Sequence, residues 1–110
     1  MTFSIDVTQA VNAMVGAASG YLTGGGPKAN DYARHEFQQF EEDLDHIQGL
    51  LNAGSITQED AQYYTDLQKS SMTAVLLTIK ELRDIEVQNA INAALGLLKS
   101  LLGSALSLKI

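Results

Sequence analysis

The residues that come nearest to a reactive or metal-binding site are two histidines and a run of carboxylates. Glu36, Glu41, Glu42, Asp43 and Asp45 lie close together in the sequence, with His35 and His46 at the two ends. Asp43 and His46 stand three apart, the spacing of the Glu-x-x-His ligand pair of ferritin-like bundles with Asp in place of Glu. Ligands of that kind project into the bundle interior. Here Leu44 and Ile47 claim the interior, so Asp43 falls beside the seam and His46 further round, badly set to share one metal. Glu42 and His46, four apart, are expected as an exposed pair, and the cluster as a whole reads as a solvated acidic face. A small metal-binding bundle stands as a second alternative only, and no metal, cofactor or catalytic residue is assigned.

Other chemistry fares no better. There is no cysteine, and neither histidine has a serine nucleophile near it in sequence that would suggest a triad. Tyr63 and Tyr64, beside the expected hairpin turn, read as packing residues. Gly24-Gly25-Gly26-Pro27-Lys28 lacks both the preceding strand and the GK[ST] ending of a phosphate-binding loop. It reads as a hinge between helices. The expectation is therefore a protein that is not an enzyme.

Charge narrows the partners. The chain has 110 residues, 45% hydrophobic, with seven Lys+Arg against thirteen Asp+Glu and a formal net charge of −6. An acidic surface does not replace counterions on phosphates, which argues against nucleic acid. All thirteen acids and five of the seven bases precede residue 87, so residues 1–86 carry 5 − 13 = −8, and residues 87–110 carry +2 from Lys99 and Lys109. Polar residues interrupt every stretch before it reaches the about 18 apolar residues of a membrane span. No basic region precedes an apolar one at the N-terminus, so a cleavable signal peptide is not expected, which leaves the cytoplasm or export without a classical signal.

The elements that carry these residues all read as helix, in one domain over residues 1–110. A first helix spans about 6–22, opened by Asp6 as a cap and ended by the glycine run. A second spans about 28–53. Its apolar positions Ala33, Phe37, Phe40, Leu44, Ile47 and Leu51 step 4-3-4-3-4, a heptad seam for one partner helix. Gly54 suits a left-handed C-cap, and Thr57 with Asp60 three residues later suits the start of a third helix. From Gln58 to about Leu108 no proline intervenes. An unbroken helix over 58–108 would run roughly 75 Å at 1.5 Å per residue. The second helix covers half of that length, and the first must cover the rest. The expected fold is an all-α, elongated helical hairpin, or three-helix bundle, with its first arm broken at Gly24–Pro27.

The tail is the most demanding segment. On a helical wheel the apolar arc of residues 87–108 covers roughly 220°, twice the stripe of an ordinary surface helix. Opposite it Gly96, Ser100, Gly103 and Ser107 form a seam of small residues that admits a close neighbour. A single chain of this length buries a limited share of its surface. The expectation is a self-assembling protein, a homo-oligomer or filament subunit. Its contact, helped by the first helix, would use Leu95, Leu98, Leu101, Leu102 and Leu108 as apolar anchors, with Val87 and Ile91 beside them and Gly96, Ser100 and Gly103 as the close-approach seam. The first alternative is an amphipathic helical protein bound to a membrane surface, or pore-forming.

Overall fold

The computed structural model describes residues 2–110, which form four α-helices and no strand. The helices are α1 (Val7–Ala18), α2 (Pro27–Asn52), α3 (Gln58–Leu77) and α4 (Asp84–Leu102). Helix α1 starts where the Asp6 carboxylate accepts the Gln9 N–H at 3.1 Å, satisfying one of the free donors of the first turn. It ends earlier than expected, at Ala18, and the chain tightens into two 3-10 turns, Ser19–Tyr21 and Thr23–Gly25. The tighter winding sends Leu22 into the core. Pro27 then opens α2, where a missing N–H costs nothing.

The heptad seam of α2 forms as spaced. Ala33, Phe37, Phe40, Leu44 and Ile47 are buried, and Leu51 packs half-buried at the end. Gly54, at φ 74°, supplies the left-handed turn, with Ser55 and Gly54 N–H groups donating to the Leu50 and Leu51 carbonyls. The Thr57 hydroxyl accepts the Asp60 N–H at 3.1 Å and starts α3.

The unbroken helix over 58–108 does not form. Helix α3 stops at Leu77, residues 78–83 turn, and α4 starts at Asp84. Neither glycine nor proline causes the break. Thr78 folds its hydroxyl back onto the Val75 carbonyl at 2.6 Å, an alternative to continuing the ladder. Ile79 and Leu82 turn inward and are buried. The Glu86 carboxylate then accepts the Arg83 N–H at 2.8 Å, and Asp84 and Glu86 place negative charge at the positive end of α4. The decisive term is tertiary: a straight helix leaves most of the α4 apolar face wet, whereas a turn at 78–83 folds it back onto α1. At the far end α4 stops at Leu102, six residues short of expectation, because Gly103 leaves the helix at φ 53°, ψ −131°.

The result is a four-helix bundle of 43 × 24 × 17 Å, not a hairpin of roughly 75 Å. Helix α1 packs on both α2 and α4, and α2 packs on α3, while the contact between α3 and α4 is thinner. The neighbours run antiparallel. Arg34 donates to Asn12 between α2 and α1, Asp45 holds the Thr2 and Phe3 N–H groups, and Lys28 pairs with Glu81 at 2.9 Å. The accessible surface is 6050 Å², close to the about 5,900 Å² expected of a compact monomer of 11.8 kDa. One copy therefore buries what its length allows.

The glycine hinge and the 78–83 turn interlock at one pole. A Cβ on the buried Gly25 would stand 2.7 Å from the Ala29 Cβ and 3.3 Å from both Ile79 and Leu82. Gly25→Ala should therefore lower stability by about 1–3 kcal/mol, the usual cost of overpacking. Urea unfolding followed by circular dichroism reads it, and an unchanged midpoint would show that this junction yields freely.

Candidate functional site

The ten residues expected to meet another copy fall into two groups. Val87, Ile91, Leu95, Leu98, Leu102 and Leu108 are buried inside the chain's own bundle. In this fold their apolar surface is already covered from within. Gly96, Ser100, Leu101 and Gly103 remain on the surface. A Cβ at Gly96 would meet nothing within 4 Å, so no neighbouring backbone uses that seam within one copy. Gly103 serves as the stop of α4.

The acidic cluster is dispersed by the fold. His35, His46 and Glu42 are exposed, and Asp43 is half-buried. Glu42 accepts from Gln38 at 3.2 Å instead of pairing with His46, and Gln39 donates to Asp43 at 3.1 Å. Among the described residues no three of His, Asp or Glu come together as metal ligands would. Asp45 has a structural task, accepting the Phe3 N–H at 2.7 Å and the Thr2 N–H at 3.3 Å.

Glu41 departs most from the expected solvated face. It is 1% exposed, and its Oε2 is buried without a hydrogen-bond partner. Burial, with the like charges of Asp45 and Glu42 adding to it, raises its pKa from 4.5 to about 7. The signal for this lay in the seam. Setting Phe37 at zero and about 100° per residue, Glu41 falls near 40°, Leu44 near 340° and Gln48 near 20°. Both polar residues share the bearing of the core, and Gln48 too is buried.

The tyrosines expected to pack are on the surface. Tyr63 and Tyr64 are exposed and meet edge to face, with ring centroids 5.9 Å apart. They begin an apolar outer face on α3 that the sequence reading missed. Ala61, Thr65, Met72 and Leu76 are buried on one side of this helix, while Tyr63, Tyr64, Leu67, Val75 and Leu77 are exposed. With Tyr64 at zero, the buried four lie between roughly 60° and 120°, and the exposed five between roughly 220° and 20°, on the opposite side. From Leu67 to Thr78 the only charge is Lys69, half-buried on the flank, its Nζ 3.5 Å from the main-chain oxygen of Ile110. A trough runs along each side of this ridge. One is lined by Phe40, Gln68 and Val75 between α2 and α3, the other by Ser70, Leu77 and Gln88 between α3 and α4.

No helix of the described residues is long and apolar enough to cross a membrane. The chain matches no family model, no curated protein and no solved structure. Its class is thus given by the fold itself, an all-α bundle of four helices.

Proposed function

We propose that the protein is a non-enzymatic helical bundle that works by binding copies of itself, through the outer face of α3. The observation that supports this reading is the set of five large apolar side chains exposed on one side of one helix. Charge favours a second copy as the occupant. Two chains of net charge −6 repel, and a two-fold contact places each surface against its own like. The stretch Leu67–Thr78 holds no Asp or Glu, and its one charge, Lys69, lies on the flank, so it can meet itself without setting carboxylate against carboxylate. Shape agrees, because a ridge flanked by troughs is complementary to itself when ridges pack into grooves. A lipid surface fits less well, since the exposed face from Tyr63 to Leu77 offers no lysine or arginine to anionic headgroups.

The area limits the strength. Twenty residues give α3 a length of about 30 Å. A face about 10 Å wide then offers near 300 Å², well below the roughly 800 Å² per partner of a stable complex. Association should be weak, rise with concentration, and strengthen as salt screens the net charge. Light scattering on a sizing column over a range of concentrations tests this. The mass should climb for the natural chain and stay at one copy for the Leu67→Glu, Val75→Glu double variant, with equal helix content. A monomer at every concentration would overturn the reading.

A further inference from the structure

The segment after α4 is held in an unusual way. Residues 103–105 form an exposed turn, and Leu106 is extended at φ −100°, ψ 118°. Leu108 is buried, and Leu106 and Ile110 pack half-buried against the core, so alternate side chains point inward as in a strand. No strand pairs with it. Its backbone is met by glutamine side chains of α2 and α3. The Gln62 amide accepts the Lys109 N–H and donates to the Lys109 carbonyl, both at 2.9 Å. The Gln48 oxygen accepts the Ser107 N–H at 3.0 Å, and its amide nitrogen donates to the Ser107 hydroxyl at 2.9 Å. Gln58 donates to the Ser107 carbonyl at 3.0 Å. An amide side chain offers the same donor and acceptor as a peptide group, so Gln62 stands in for a neighbouring strand at residue 109.

These contacts define a groove for an extended peptide with apolar side chains at alternate positions, read through its main chain. We propose that the groove takes residues 106–110 of a second copy, so that two copies exchange this strap. Three observations favour that occupant. Residues 106–110 are the peptide whose fit is seen, and in an exchanged pair every hydrogen bond above is made again across copies. The link to α4 is a short exposed turn beginning at Gly103, whose backbone conformation suits glycine and can be re-aimed without moving the helix. The apolar anchorage is slight, one buried side chain and two half-buried ones, and the hydrogen bonds to Gln58 and Gln62 are to exposed main chain that water can take over, so the strap opens without unfolding the bundle. Moreover, Tyr63 shares an opening beside the seated strap with Gln62 and Lys109, so the groove adjoins the start of the outer face of α3. Exchange between identical copies is an economical route to a closed two-fold dimer. The inference rests on the self-association proposed above.

The absence of cysteine gives a clean test. Two single variants, Glu59→Cys and Lys109→Cys, whose side chains are exposed beside the groove and make none of its hydrogen bonds, are prepared with different isotope labels and checked for unchanged melting. They are mixed at the highest concentration, incubated and oxidised, and the disulfides are counted by mass spectrometry alongside light scattering. Exchange predicts that the 59–109 bond between copies exceeds the 59–59 and 109–109 bonds by about tenfold or more, because the groove holds the two sulfurs at high effective concentration. A dimer seen by scattering without that preference overturns strap exchange and leaves self-association standing. A monomer with no preferred bond overturns both.

Discussion

Glu41→Gln should stabilise the folded chain by about 3 kcal/mol at pH 8 and by less than about 1 kcal/mol at pH 5. The carboxyl is 1% exposed, one of its oxygens has no partner, and its pKa in the fold is raised to about 7. An acid whose folded pKa lies above its unfolded value binds its proton more tightly in the fold. Its favourable contribution is complete below about pH 4.5, the unfolded value, and is lost as pH rises through about 7. The natural chain should therefore lose stability over that window, and the glutamine variant, neutral at every pH, should not. Glu81 and Glu86 act in the opposite sense. Hydrogen bonding with Lys28 lowers the first and the Arg83 N–H lowers the second, but Glu81 is exposed, Glu86 is half-exposed, and water screens both. Comparing the two proteins cancels them. Urea midpoints for both at pH 5, 6.5 and 8 measure the difference, and parallel curves would mean that Glu41 ionises in the fold without penalty.

What the sequence made legible was whatever a few neighbouring residues decide. Asp6, Thr57 and Gly54 act within one turn of themselves, and each caps the helix its spacing implied. The α2 seam is local in the same sense, since period alone assigns Phe37, Phe40 and Leu44 to the core. The break at 78–83 was not legible, because it is decided by distant partners. Ile79 and Leu82 pack over Gly25, more than fifty residues away, and Arg83 offers no side-chain cap to announce α4. The tail carries a wide apolar arc. It demanded cover on more than one side, and the turn at 78–83 lets the chain cover it from within. With the inner face of α4 covered, five of the nine large apolar side chains left exposed lie on α3. Its exposed positions from Tyr63 to Leu77 are diluted in sequence by Ser70, Ser71 and Thr73, and hidden by the assumption that one helix ran on to Leu108.

Leu98→Asp should unfold the chain, whereas Leu101→Asp should leave its stability within about 0.5 kcal/mol. The two leucines are three residues apart on α4, but Leu98 is fully buried and Leu101 is 44% exposed. Removing the Leu98 side chain alone forfeits about 2–5 kcal/mol through lost transfer energy and the cavity left behind. A carboxylate in the same place adds desolvation that no partner offsets, several kcal/mol more even when it takes up a proton. The sum approaches or exceeds the 5–15 kcal/mol that holds a domain of this size together. Far-UV circular dichroism at low concentration separates the two variants, since the folded helix signal should vanish for one and persist for the other. The pair also discriminates between two uses of the tail. If α4 met another copy and not its own bundle, Leu98→Asp would yield a folded monomer, and the loss would appear in particle mass instead of helix content. Loss of helix at every concentration ties the apolar face of α4 to the single chain.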